Sequence, residues 1–301
     1  MKYLRLSAIA LSLCFIFGET GGALASVSPE AFFGMIDNND GAGVISALVG
    51  GFDVNGAYGN VNEKNAPLTY AVRRTRPEIV KILLDFGADV EWKEFEDGGV
   101  SPLMLAVLYA AAPGMPPERK GDAMEIVDIL IERGADVNYI GMSTQTPLSW
   151  ALSAPDYDES SPLLIKKLLE AGADVNPAIS RGNSTPLMMA MGNAYIAEWE
   201  KGEDRTELIK LLLDAGADPN GKLDGGNTPL HVVAFAEREI TRGLPDAGLM
   251  PAHSSKISYG IAEMLFDAGA DKHIKNDEGK NPFETALENY NFRIAVLLAV
   301  R

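Results

Sequence analysis

Residues 210–231, KLLLDAGADPNGKLDGGNTPLH, join the end of a leucine-rich helix to the start of a second helix through a glycine-rich turn. Consecutive leucines place apolar side chains along one helix face, and Gly216 can take the left-handed conformation that ends a helix. Thr228 can cap the free amides of the next helix, and Pro229 suits its first position because no N–H is needed there. This stretch therefore predicts a helix, a turn and a second helix.

The same pattern recurs six times along the chain. A GAD-like tripeptide begins at Gly51, Gly87, Gly134, Gly172, Gly216 and Gly269. Between 11 and 14 residues after each aspartate of these tripeptides lies a proline followed by an apolar residue. These prolines are Pro67, Pro102, Pro147, Pro186, Pro229 and Pro282. Such a period indicates a repeat protein, in which each unit buries its apolar face only against its neighbours.

The pattern resembles the ankyrin repeat, whose signature combines TPLH, a leucine-rich second helix and GADVN. The resemblance runs from about Ser28 to Arg301. It implies an all-α solenoid of about seven stacked helix pairs, with β-hairpin-like fingers and first helices that form a concave binding face. It also implies that His231, the histidine of TPLH, is structural and that the family's usual task is to hold another protein.

The domain organisation follows from these motifs. Residues 26–301 are expected to form a single ankyrin-repeat domain. Within it, residues 28–55 lack the TPL signal and predict an N-terminal cap, residues 56–280 carry the repeats, and residues 281–301 predict a C-terminal capping pair.

The first 25 residues have the layout of a bacterial secretory signal. They combine a basic start, an apolar run of about a dozen residues and Ala-Leu-Ala before Ser26. We therefore expect cleavage near Ala25 and a periplasmic or secreted protein. An outer-membrane lipoprotein anchored through Cys14 is the less favoured alternative, because Leu13 is too large for the residue before such a cut. No membrane span is expected in the rest of the chain.

Charge and composition restrict the partners. The formal net charge is −16 at pH 7 and there is one cysteine, Cys14, in the leader. So acidic a surface repels nucleic acid and favours another protein, a cationic one in particular, as the partner. The alternative is that the charge mainly keeps the protein in solution. The sequence favours a monomer and leaves the oligomeric state open.

Chemistry-bearing motifs are missing from the sequence. The three histidines do not stand at metal-ligand spacing, and the turn at Asp37–Gly41 lacks one spacer of a calcium loop and has Leu48 at the closing position. We therefore expect no catalytic residue, no metal site, no cofactor and no enzymatic activity.

All five spacings between the GAD glycines exceed the standard 33 residues, and four units carry insertions. The extra length lies between the two helices of each unit, in residues 112–122 (a proline-rich loop), 154–161, 194–205 (a helix extension carrying Trp199) and 237–256. These insertions are either one lateral binding ridge or loops that grew because long loops cost little stability.

The candidate partner-binding residues come from the fingers and first helices of the N-terminal half. Aromatic residues and arginine are enriched at interface centres. The candidates are Tyr58, Trp92, Phe95, Tyr139 and Met142 in the fingers and Arg73, Arg74, Leu108 and Tyr109 on the first helices. The alternative for the finger aromatics is that they stack against neighbouring fingers.

These observations favour a non-catalytic protein–protein interaction module in the bacterial periplasm. It would be an adaptor or inhibitor of a partner protein, with an immunity protein against a periplasm-acting toxin as the sharper form. The alternative is a stress or maintenance factor that supports a periplasmic enzyme such as a catalase.

Overall fold

A computed structural model describes residues 27–59, 65–93, 99–141, 145–153, 160–177, 185–201, 204–242 and 254–301, with the side chains of 160, 198–201, 236–242 and 254–256 left undescribed. Over this part of the chain the fold is all-α. The helices are α1 Pro29–Asp37, α2 Gly41–Val49, α3 Pro67–Arg73, α4 Pro77–Asp85, α5 Pro102–Ala111, α6 Pro117–Glu132, α7 Pro147–Leu152, α8 Ser160–Glu170, α9 Pro186–Lys201, α10 Thr206–Asp214, α11 Pro229–Arg242, α12 Ser254–Asp267, α13 Pro282–Glu288 and α14 Phe292–Val300. The predicted ankyrin-type succession of seven helix pairs is confirmed.

The helices fall into two compact units. The first holds residues up to 110 together with 114–136, and the second holds 111–113 and 137–301. Within the first unit, α1 packs on α3, and α2 and α6 both pack on α4. Within the second, first helices pack on first helices from α7 to α9, α11 and α13, while α8, α10, α12 and α14 form the parallel row of second helices.

Each second helix with a GAD turn ends as the sequence predicts. Gly216 has a φ of +91°, and the other five GAD glycines have φ between +86° and +92°. At this turn the Gly216 N–H donates to the Leu213 carbonyl (2.9 Å) and the Ala217 N–H donates to the Leu212 carbonyl (2.9 Å). The left-handed glycine thus satisfies the last carbonyls of the helix and reverses the chain.

The predicted caps begin several first helices. Ser101, Thr146 and Thr185 each accept a hydrogen bond from the amide three residues later. Thr146 and Ser149 form a reciprocal capping box. The turn at residues 38–40, which faintly resembles a calcium loop in sequence, is a polar link in which Asp40 caps α2 through the Gly43 N–H (2.9 Å).

Asparagine side chains join successive turns. The Asn176 amide donates to the Gly216 carbonyl (2.9 Å), and its oxygen accepts from the Asp218 N–H (2.8 Å). In the part of the chain that the structure describes, Asn55, Asn138 and Asn220 make the same pair of bonds to the next GAD turn. Glu91 stands at the equivalent position of the second turn and accepts from the Asp136 N–H (2.6 Å).

The turns continue into short finger loops. Tyr58 and Asn65 form an antiparallel bridge, and the Asn276 N–H donates to the Lys280 carbonyl (2.9 Å) across the last finger. In the second unit the Asp277 N–H donates to the Gly225 carbonyl (3.0 Å), which links two consecutive fingers. The bonds across these described finger ends are those of a hairpin.

One insertion differs from its prediction. Residues 112–122 were expected to be a proline-rich loop, but α6 begins at Pro117. Proline suits the first helical position and Glu118 interacts favourably with the amide end of a helix, so the insertion mostly lengthens α6. Of the helix extension predicted at 194–205, residues 194–201 are part of α9, which ends at Lys201. Residues 154–159 and 243–253 of the other two insertions lie outside the described residues.

His231 ties a first helix to the finger of the next pair, within the second unit. The imidazole is fully buried, its Nδ1 accepts from the Thr228 N–H (3.1 Å), and its Nε2 lies 3.0 Å from the Lys280 carbonyl. Because Nδ1 is an acceptor, the ring proton is on Nε2, and the Nε2–H donates a hydrogen bond to the Lys280 carbonyl. Burial is the main cause that lowers the pKa of His231. The structural role implied by the TPLH resemblance is confirmed.

We predict opposite stability effects at two positions of the asparagine series. Asn176→Ala should lower the free energy of unfolding by about 1–3 kcal/mol, because it removes both bonds to the next turn. Glu91→Asn should raise it by about 0.5–1.5 kcal/mol, because a carboxylate cannot donate to the Gly134 carbonyl and an amide can. Urea unfolding measures both changes. The control Glu91→Ala removes the same charge without a donor, and a gain in stability there would contradict the explanation.

We also predict a pH dependence from His231. Its folded-state pKa lies below the unfolded value of about 6.5, so the unfolded state binds the proton more tightly. Stability from the neutral imidazole is therefore full above this value and is lost as the pH falls from there through the folded pKa. Urea unfolding between pH 7 and pH 5.5 should show this slope, and His231→Gln should remove it. His273→Gln leaves His231 in place and should keep the slope; its loss there would refute the assignment.

Candidate partner-binding site

The site begins with a fixed arginine at the end of α3 in the first unit. The Arg74 Nε lies 2.7 Å from Asp37 Oδ1, and its Nη2 donates to the Tyr70 hydroxyl (2.8 Å). That hydroxyl donates in turn to Asp37 Oδ2 (3.0 Å). The guanidinium also stands 4.9 Å from the centre of the Tyr70 ring, within cation–π range. Asp37, Tyr70 and Arg74 thus form a closed triangle.

The triangle fixes Arg74 without burying it. Half of the Arg74 side chain remains exposed. The hydrogen bond that Arg74 donates to the Tyr70 hydroxyl is the main cause that raises the pKa of Arg74, and the nearby Asp37 and Tyr109 contribute in the same direction. Arg74 therefore keeps its charge and presents it to solvent in a defined position.

Two candidates lie on the next first helix, and one of them, Tyr109, is near enough to Arg74 to act on its charge. Leu108 on α5 is 45% exposed, and Tyr109 is half-buried. Arg73 is half-buried, and its carbonyl accepts a bond from Arg119 Nη2 (3.4 Å). We call Tyr70, Arg74, Leu108 and Tyr109 the first-helix surface.

The finger candidates lie in different surroundings. The Tyr58 ring stacks on Phe52 with centres 4.9 Å apart and meets Phe33 edge-on at 5.9 Å. Its hydroxyl donates to the Asp53 carbonyl (2.9 Å). These contacts favour the structural alternative for Tyr58. Its role in binding stays a prediction.

The remaining finger candidates are placed only in part. Trp92 in the first unit and Tyr139 in the second are half-buried. Phe95 and Met142 lie outside the described residues. The sequence reasoning missed Asp37 and Tyr70, because nothing in the pattern links a turn after α1 to the arginine at the end of α3.

The first-helix surface offers groups for recognition. It presents a cation, two phenol rings and an apolar side chain. Across the described ranges, no group of three or more His, Cys, Asp or Glu side chains is arranged to hold a metal ion. Among the same residues, none of the helices combines the length and apolar character that crossing a membrane requires.

Sequence comparison finds ankyrin repeats in both units. The family described as "Ankyrin repeats (3 copies)" matches residues 35–139, and "Ankyrin repeats (many copies)" matches residues 194–240. The ankyrin repeat and KH domain-containing protein mask-1 of Caenorhabditis elegans is 28% identical over 240 residues, which are 78% of this chain and 8% of that protein. A Borreliella burgdorferi protein named for its ankyrin repeats is 26% identical over 129 residues, 43% of this chain and 50% of that protein. The chain thus spans at most half of the length of these relatives.

Solved structures agree on the fold. The ankyrin repeat domain of Bcl-3, a member of the IkappaB protein family, has a TM-score of 0.64 at 19% identity and covers 91% of this chain and 98% of its own. An ankyrin repeat domain from Acinetobacter baumannii AYE has a TM-score of 0.55 at 20% identity, over 78% of this chain and 96% of its own. At this identity the likeness shows the fold alone.

We predict that Tyr58 and Leu108 differ in what they do for stability. Tyr58→Ala should lower the free energy of unfolding by about 1.5–3 kcal/mol, because it removes a half-buried ring that packs on two other rings. Leu108→Ala should change it by less than about 0.5 kcal/mol, because much of that side chain already faces water. Thermal and urea unfolding of both variants measure the contrast. Equal losses would mean that Leu108 is also structural.

Proposed function

We propose that this chain, which belongs to the ankyrin-repeat family, binds a folded protein non-covalently through the first-helix surface and acts as an adaptor or inhibitor after export to the periplasm. Ankyrin repeats are protein–protein interaction modules and in general a non-catalytic scaffold. What we propose beyond this is the first-helix surface as the binding site, the periplasm as the compartment, and adaptor or inhibitor as the role.

The observation that carries the proposal is an arginine that is fixed and half exposed. The Asp37–Tyr70–Arg74 triangle holds Arg74 in one position before any partner arrives. Ordering a long side chain at an interface costs free energy, so an arginine that is already ordered loses less of it on binding. Arginine and tyrosine are enriched at interface centres, and this surface presents both.

Electrostatics favour a partner with basic groups around an apolar or acidic contact point. The chain carries a net charge of −16, which attracts cationic surfaces at long range and speeds their association. At short range, Arg74 favours a hydrogen-bond acceptor such as a carboxylate or a backbone carbonyl. Such binding should weaken as salt is added, because screening removes the long-range term.

Export is supported by the leader-like pattern of residues 1–25. The identity of the partner separates the two roles left open by the sequence. A periplasm-acting toxin held by the first-helix surface would make this an immunity protein. A catalase or another enzyme whose activity survives stress only when bound would make it a maintenance factor.

We predict that Leu108→Asp weakens partner binding at least about tenfold, because it places a carboxylate in the desolvated centre of the interface. The protein and its associates are purified under native conditions from the periplasmic fraction of the host. The associated protein is identified by mass spectrometry, purified and titrated calorimetrically with each variant.

The matched control is Leu163→Asp. Leu163 lies on α8, a second helix, and is comparably exposed. It should bind as the unchanged protein does, and both variants should melt at nearly the same temperature. Equal binding by Leu108→Asp and the unchanged protein would contradict the proposed surface, and recovery of the protein only from the cytoplasm would contradict export.

A further inference from the structure

The last helix pair leaves an apolar face in contact with water. On α13 and the turn after it, Leu287 is 41% and Tyr290 is 75% exposed. On α14, Phe292, Val296 and Val300 are 60%, 63% and 82% exposed. We call these five residues the terminal face.

Helix α14 is apolar on both sides. Ile294, Leu297 and Leu298 are buried against the preceding helices of the second unit. Phe292, Val296 and Val300 point the other way, four residues apart, and form one stripe. A helix that is apolar all round is typically buried on all sides, so the terminal face has the character of an interface.

We propose that a second copy of this chain covers the terminal face, with the two α14 helices antiparallel about a two-fold axis at Val296. The stripe is symmetric in spacing about Val296. An antiparallel copy therefore places Val296 against its own equivalent and Phe292 against Val300 of the copy, so that a large side chain meets a small one. A two-fold interface requires such a self-complementary patch.

The exposed area suits a weak, reversible pair. With roughly 200 Å² for an aromatic side chain and less for leucine and valine, the exposed fractions of the terminal face give roughly 500 Å² of apolar surface per copy. Two copies would bury about 1,000 Å², which is the size of a weak interface. An interface of this size is consistent with a reversible dimer.

The charges beside the terminal face do not oppose the pairing. Lys280 Nζ lies 2.6 Å from Glu288 Oε2, and Arg301 Nη2 lies 3.9 Å from Glu263 Oε1. The guanidinium of Arg293 stands 5.6 Å from the centre of the Tyr259 ring of its own chain. Because these side chains already have partners of their own, the rim adds little like-charge repulsion. The exposed face thus favours a dimer over the monomer expected from the sequence.

Sedimentation velocity over a range of concentrations tests the proposal. The unchanged protein should be a reversible dimer. Val296→Glu and Val296→Lys should each weaken the dimer at least about 100-fold, because two like charges would meet at the axis. An equimolar mixture of the two variants should recover the dimer, because opposite charges then face each other across the axis.

Ile196→Glu is the matched control, because Ile196 is a comparably exposed apolar residue on α9. It should remain dimeric, and circular dichroism should show all three variants folded with similar melting temperatures. A monomer at every concentration of the unchanged protein would overturn the proposal. So would a dimer that Val296→Glu leaves intact, a mixture that stays monomeric, or a different protein that occupies the terminal face of a monomer and is lost in Val296→Glu.

Discussion

In several of the GAD turns, one asparagine side chain forms hydrogen bonds to the next turn. Asn176 both donates to Gly216 and accepts from the Asp218 amide, so it fixes the next turn by two bonds at once. Backbone groups in an exposed turn have no helix or sheet ladder to pair with, and these bonds satisfy two of them. Within each unit the spacing between consecutive helix pairs depends on this link, together with the apolar contacts between the helices themselves.

Because the turns position the helices, surface residues between the turns can differ from one repeat to the next. One example is the triangle of Asp37, Tyr70 and Arg74, which holds a charged group in place at a helix end that the repeat has already positioned. The same logic applies to the terminal face, where the inner side of α14 is fixed by packing and the outer side is not. The proposed recognition therefore depends on which side chains the repeats expose.

The features that could be predicted from the sequence are those set by residues close together in the chain. The left-handed glycines, the Thr146 cap and the role of His231 all follow from motifs a few residues long, and each is confirmed. The proline-rich loop predicted for residues 112–122 was wrong from Pro117 onward, where α6 begins, because a proline cluster indicates a loop and a helix start equally well. The Arg74 contacts and the exposure of Val296 could not be predicted, since they depend on which distant elements pack nearby. The signal peptide, Phe95 and Met142 lie outside the described residues and stay predictions.

Native-state hydrogen exchange of the Asp218 amide tests the role of the asparagine link most directly. Asp218 lies on an exposed turn, and its N–H donates to the side chain of Asn176, 42 residues earlier in the chain. We expect this amide to exchange far more slowly than an unprotected one, and to lose most of that protection in Asn176→Ala while the amides inside α11 keep theirs. Exchange of the Asp218 amide at the unprotected rate in the unchanged protein would contradict the account.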